Sequence, residues 1–413
     1  MLQYILATTI FFFIVFFVYI KIKYPFWNNQ PVFHTYDYWR YFYSTPFIIH
    51  RYRPVKTKFC DFTSVVTKNL SEYTDENIGE LTNLLQCYYV SSDRILHTIS
   101  AQNIKTILSG IGEPSYISMY YEKIMNKPTF NDEISTIMRP TGCITSRAFK
   151  MYYRPTLKEP MYSELPLYYV DYICVQREQD VRKITRKMYQ THEYNQRTLN
   201  PNISVSLFKK EIDLFEGVVP FIRYNAETYY MRKNKLPVLP NTFHIVPINN
   251  DNIDILTDFL DIQIHLRFDN QPCLYDIFIT QHSGYYLSLI NDKQLYVYCL
   301  RSEGHVYGLY FFKDTKTQYD DIDGNTLQCI ASVMNSDAEE IFYHGFLHSL
   351  DDIMKTSNYK MLIIEGISNN TNILRNWRTR NTPIFTNETA YYLYNFVYPC
   401  SPIPSEKCLI LTI

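Results

Sequence analysis

The run Cys408-Leu409-Ile410-Leu411-Thr412-Ile413 ends the sequence on apolar and β-branched residues, where most chains fray into polar ones. Its composition predicts a buried β-strand, and a buried end would take the α-carboxylate of Ile413 out of water. Such a carboxylate titrates near ~3.5 in solvent, and burial raises it toward the range of a useful general base. Ahead of it stand Tyr391-Tyr392-Leu393-Tyr394-Asn395, a loop with Pro399, Pro402 and Pro404, and the pair Glu406-Lys407. A second pattern with chemical content lies upstream. Tyr168 to Arg177 alternates aromatic and β-branched residues as a strand does, and Asp180 to Met188 then reads as a helix with a basic first turn, Arg182 and Lys183. Cations at a helix N-terminus oppose the helix dipole, so a phosphate-bearing ligand there would resolve the conflict. A solvated basic face is the plainer alternative. His344 and His348 have metal-ligand spacing but no third ligand beside them, so they read as a helix pair and no metal is expected. No P-loop, GxGxxG or GxSxG occurs.

Near the front stands Tyr24-Pro25-Phe26-Trp27-Asn28-Asn29-Gln30-Pro31-Val32. Taken alone it reads as an aromatic membrane-interface belt. Together with Tyr391–Asn395, the Pro/Ser loop, Glu406-Lys407 and the terminal strand, it resembles the N-myristoyltransferases. The resemblance implies an α/β (α+β) fold of two acetyltransferase-like (GNAT-type) lobes in pseudo-twofold arrangement. It implies transfer of a fatty acyl group from myristoyl-CoA, the acyl-CoA cosubstrate, to the N-terminal glycine amine of a peptide or protein. The Ile413 carboxylate would be the catalytic base, and the Tyr172 and Ile173 amides the oxyanion hole. Tyr24, Phe26 and Trp27 would cover the CoA, with Arg177, Arg182 and Lys183 on its phosphate side. Tyr89, Asp93, Tyr224 and Tyr392 would hold the peptide. The chain departs from the family pattern in three places: Val181 replaces a serine, Ser91 and Ser92 replace acids, and Phe385-Thr386-Asn387 stands where the family has Gly-Asp-Gly.

The elements that must position these residues fall into three parts. Residues 1–22 are expected to be a transmembrane anchor, 23–240 an acyl-CoA-binding lobe and 241–413 a peptide-binding lobe. Leu2 to Ile20 carries no charge, and nearly twenty such residues can cross a ~30 Å hydrocarbon core. A signal peptide would want a basic start and a small-residue cleavage site; a core helix would want a polar face. Lys21 and Lys23, then Arg40, Arg51, Arg53, Lys56 and Lys58, place the bulk of the chain in the cytosol and the N-terminus outside or in a lumen. The sequons at Asn69, Asn202, Asn369 and Asn387 would then stay unused.

In the second lobe, Phe243–Pro247 reads as a strand, and a helix follows Asp251. After the apolar run Tyr285–Ile290, Leu295–Leu300 and His305–Phe312 form a hairpin. A long helix is capped by Ser336 with Glu339, and Lys360–Ile364 is a further strand.

Forty Lys+Arg against 41 Asp+Glu leaves no basic field for nucleic acid. Nine scattered cysteines without CxxC favour reduced thiols. The Tyr-, Asn- and Ile-rich skew resembles translation from an AT-rich genome and, with the anchor, proteins of large DNA viruses; a virion membrane is an address this implies. Two rival functions stand beside the first: a non-catalytic, membrane-tethered binding protein of the same fold, and an acyltransferase for shorter acyl-CoA.

Overall fold

The computed structural model describes residues 1–42, 45–90, 94–110, 112–125, 136–155, 163–232, 235–265, 275–335 and 337–413. The first helix, α1 (Leu2–Lys23), is apolar on every face. From Gln3 to Tyr19 its residues are exposed, and it is long and apolar enough to cross a membrane.

The remaining elements run in two similar series. The first contains β1 (Phe47–Ile48), β2 (Val65–Asn69), α2 (Asp75–Tyr88), β3 (Ile95–His97), α3 (Ala101–Leu108) and β4 (Tyr116–Met125). It continues with β5 (Thr136–Tyr153), β6 (Ser163–Val175), α4 (Val181–Leu199), β7 (Val205–Glu211) and β8 (Ile222–Tyr230). The second opens with β9 (Phe243–Pro247), α5 (Ile253–His265), β10 (Ile277–Thr280), α6 (Ser283–Asn291) and β11 (Leu295–Ser302). It continues with β12 (His305–Tyr319), β13 (Asn325–Met334), α7 (Glu339–Thr356), β14 (Tyr359–Glu365), α8 (Asn370–Trp377) and β15 (Phe385–Tyr394). Short β16 (Phe396–Val397) and β17 (Cys408–Ile410) close the chain.

The pairings repeat as faithfully as the order. β2·β4, β4·β5 and β5·β6 are antiparallel and β6·β7 parallel; β9·β11, β11·β12 and β12·β13 are antiparallel and β13·β14 parallel. Each lobe lends strands to the other. β7 pairs with β15 while β14 pairs with β8, and β3 pairs with β12 while β10 pairs with β5. The pairing of β8 with β15 joins the halves into one sheet across a pseudo-twofold axis. This mixed α/β duplication agrees with the fold expected from the sequence.

Local chemistry explains the ends of the key elements. Asp180 caps α4 by accepting from the Lys183 N–H, and Thr74 caps α2. Glu303 and Gly304 at φ 49° and 86° make the tight turn of the β11–β12 hairpin. Ser336, half of the expected Ser336–Glu339 capping box, lies outside the described residues; α7 begins at Glu339 behind Ala338. Two expectations change. The run Tyr285–Ile290 lies within α6. The strand in Phe385–Asn387 pairs with β8, so no loop occupies that stretch; β-branched and aromatic neighbours extend the ladder instead.

Candidate active site

The terminal segment is buried from Cys408 to Ile413. Only Cys408–Ile410 is strand, paired in parallel with β10. The Leu411 N–H still donates to the Ile279 carbonyl at 2.9 Å, and the Tyr391 and Thr412 hydroxyls meet at 3.0 Å. Ile413 itself is 1% exposed. Its carboxyl oxygen accepts from the Nη2 group of Arg147, a β5 residue with no exposed surface. The guanidinium lies against the rings of Phe149 and Tyr169, and Asp171 Oδ2 is 3.6 Å away.

Asp171 stands where β6 parts from its neighbour. β6 and β7 pair only from Leu167↔Val205 to Val170↔Phe208; beyond that β7 continues beside β15. Between Thr145↔Asp171 and Cys143↔Cys174, Tyr172 and Ile173 together oppose Ile144, a β-bulge. Tyr172 has φ 48°, a costly value for an aromatic residue, and its N–H donates to Asp171 Oδ1 at 2.8 Å. The Tyr89 hydroxyl reaches the same oxygen at 3.3 Å.

Further charges converge on this face. Lys209 meets Glu365 at 2.5 Å and Glu211 at 2.9 Å, and the Tyr224 hydroxyl donates to Glu365 at 2.8 Å. Burial is the largest single influence on Lys209 and opposes its charge, but Glu365, Tyr224, Glu211 and Tyr391 together outweigh it and hold the ammonium well above the usual lysine value. Lys209 in turn holds the Glu211 carboxyl below its ordinary value. Lys313 on β12 faces Asp171 and Arg147; burial lowers its pKa although Asp171 favours its charge. Burial also pushes His97 down to about 4, so its ring is neutral at physiological pH. Charged groups from β5, β6, β7, β12 and β14 therefore interact with one another here, and Arg147 among them contacts the terminal carboxyl. Such a group can hold an amine, orient it and take its proton.

The expected residues divide between the two faces of the sheet. Ile413, Tyr172, Tyr89 and Tyr224 belong to the charged face. Tyr392 points the other way: its ring is 4.9 Å from Phe215 and its hydroxyl accepts from the Phe215 N–H. Its neighbour Tyr391 is the one that reaches the cluster, a consequence of strand alternation. Trp27 packs 4.6 Å from Phe215, on the Tyr392 side, and Ile173 packs in the same cluster. Phe26 is buried against Trp27 and Phe59, and Tyr24 stacks on Tyr36. Arg182 and Lys183 are exposed in the first turn of α4; Arg177 donates to the Val90 carbonyl at 3.2 Å. Asp93 lies outside the described residues. Among those residues no group of three His, Cys, Asp or Glu could hold a metal; His348 bonds the Pro237 carbonyl.

Sequence reasoning missed Arg147, Asp171, Lys209, Glu211, Lys313 and Glu365. A signal existed for three: Asp171, Lys313 and Glu365 each follow or interrupt an apolar strand, as in Phe311-Phe312-Lys313 and Ile363-Ile364-Glu365. A lone charge in such a place must be paired or functional.

No family model and no curated protein matches the sequence. The fold is similar to solved structures of Saccharomyces cerevisiae N-myristoyltransferase with bound myristoyl-CoA. One aligns with a TM-score of 0.67 at 11% identity, covering 92% of this chain and 89% of that one. A second has a TM-score of 0.66 at 13% identity, covering 92% and 94%.

Proposed function

We propose that the chain is a membrane-anchored N-acyltransferase that moves a fatty acyl group from acyl-CoA to an N-terminal glycine amine. The observation that carries this reading is the Ile413 carboxyl, buried and held by Arg147 beside the β6 bulge, within a fold shared with the yeast enzyme. The acyl-CoA would lie against lobe 23–240 and the acceptor peptide against lobe 241–413. The thioester carbonyl sits at Tyr172–Ile173, where the Tyr172 N–H exchanges Asp171 for the thioester oxygen. The amine nitrogen attacks the carbonyl carbon, the C–N bond forms, the C–S bond breaks and CoA leaves as its thiolate. The amine proton passes to the Ile413 carboxylate. Backbone donors aimed at an oxyanion carry much of such a barrier, roughly 100- to 1000-fold each. Arg147 orients the base, and Tyr391 with Thr412 fixes the segment that bears it. Helix α1 is the anchor, with the rest of the chain on the cytosolic side, as Lys21, Lys23 and the basic residues after them direct.

Extending the chain by two residues past Ile413 separates the base from acyl-CoA binding. The extension is expected to abolish transfer from myristoyl-CoA to a glycine-initiated peptide while calorimetric binding of myristoyl-CoA persists. Unchanged turnover would falsify the role of the carboxylate. Absence of both binding and turnover in the parent chain would leave a binding protein in its place.

A further inference from the structure

A cavity of about 500 Å³ lies away from the charged face, between the Asn29–Pro31 segment, the 48–57 loop, the second half of α4 and Tyr394. Its floor is polar and buried. Gln30, Gln190 and Arg197 are 3%, 4% and 4% exposed, and Gln30 Nε2, Gln190 Oε1 and Arg197 Nε have no hydrogen-bond partner. Buried polar atoms left unpaired cost free energy unless something occupies the space beside them. The cavity is also tied in place. Arg197 Nη2 donates to the His50 and Tyr52 carbonyls at 3.0 and 2.9 Å, and Asn395 clasps His50 through both its N–H and its carbonyl.

The mouth is cationic. Arg51 and Arg53 line it, and no acidic residue does among the described residues. Residues 38–60 hold Arg40, Arg51, Arg53, Lys56 and Lys58 without a single Asp or Glu. The same segment exposes Trp39 (80%), Phe42 (81%), Tyr52 (88%) and Val55 (79%). Basic and aromatic side chains exposed together suit the headgroup layer of an anionic membrane. Gln30 follows the end of α1 by seven residues, a span of at most ~25 Å. The cavity is also distinct from the α4 N-terminus, since Gln190 and Arg197 lie roughly 10 and 20 Å further along that helix than Lys183.

We propose that this cavity takes a phosphorylated, hydroxyl-bearing headgroup of an anionic lipid in the membrane that α1 enters. Arg51 and Arg53 meet the phosphate; Gln30 Nε2 and Arg197 Nε donate to headgroup oxygens, and Gln190 Oε1 accepts from a hydroxyl. Held this way, the headgroup fixes how the domain sits on the bilayer. The proposal rests on the membrane-anchor reading of α1, which alkaline extraction of membranes checks independently.

The experiment uses the full chain in neutral detergent, titrated by calorimetry with a short-chain phosphatidylinositol phosphate and with its deacylated glycerophosphoinositol phosphate. Saturable binding of the lipid is expected, with weaker binding of the deacylated form. Arg51→Gln with Arg53→Gln, both on exposed positions, should weaken it roughly 30-fold. Gln190→Leu, which fills the floor with an apolar group, should weaken it as well without changing myristoyl-CoA binding. Equal affinity for both probes would reassign the cavity to a soluble phosphate ester and overturn the lipid source. Displacement of either probe by CoA would overturn the site. Absence of binding by a chain that does extract as an integral membrane protein would overturn the proposal and leave the anchor standing. Release by alkali together with retained binding of the deacylated probe would overturn the anchor and the lipid source.

Discussion

Arg147 decides more than any other side chain here. Its guanidinium is wholly buried, yet it serves Ile413 and Asp171 at once. A buried charge stripped of its partner is costly, on the order of 3–5 kcal/mol. Arg147→Met should therefore destabilise the chain by about that much, as read by the thermal unfolding midpoint, and abolish transfer. The double variant Arg147→Met with Asp171→Asn should recover part of the loss, because it removes one of the two abandoned acids. If the double variant were no more stable than the single one, Asp171 would not be coupled to Arg147. At this scale the sequence was only partly legible. The carboxyl of Ile413 could be read from an apolar ending; its holder, 266 positions earlier, could not.

At the scale of elements, the segment after α1 depends on one glycine. Gly217 has φ +79°, and a Cβ there would sit 2.7 Å from the Tyr24 ring; its carbonyl accepts from the Thr35 N–H at 3.1 Å. Gly217→Ala should cost roughly 1–3 kcal/mol and loosen Tyr24–Val32 from the first lobe. Weaker myristoyl-CoA binding with an intact second lobe, followed by hydrogen exchange, is the expected result; unchanged exchange in residues 24–36 would count against it. Helix α4 teaches a different lesson. Its basic first turn was readable, and so was its cap at Asp180. Its buried face was not, because Gln190, His192, Glu193, Gln196 and Arg197 carry no apolar periodicity. Strand β6 was readable by alternation, but its bulge was not. An extra residue in a ladder shows only when the partner strand is known.

For the molecule as a whole, the buried ionisable groups of α4 set opposing responses to pH. Burial raises Glu193 from 4.5 to about 7. The folded chain thus keeps a proton that the unfolded chain releases, and stability falls as pH rises through that window. Burial lowers His192 from 6.5 to about 3, so the unfolded chain binds the extra proton and stability falls as pH drops through its window. Between them the two leave a broad plateau. Glu193→Gln should remove the alkaline decline. Relative to the parent, its stability should rise by on the order of 3 kcal/mol between about pH 4 and about pH 8. A constant difference across that range would mean Glu193 titrates alike in the folded and unfolded chain.

The α/β class, the doubling of the lobes, the apolar first helix and the burial of the terminal segment were all determined by the sequence itself. Period, alternation and a short motif act locally and leave a local trace. Only the tertiary structure decided which strands exchange between lobes, which of Tyr391 and Tyr392 faces the charged cluster, and that Arg147, Asp171, Lys209, Lys313 and Glu365 meet. These depend on register between segments hundreds of residues apart. A shift of one residue in a strand turns every side chain to the other face.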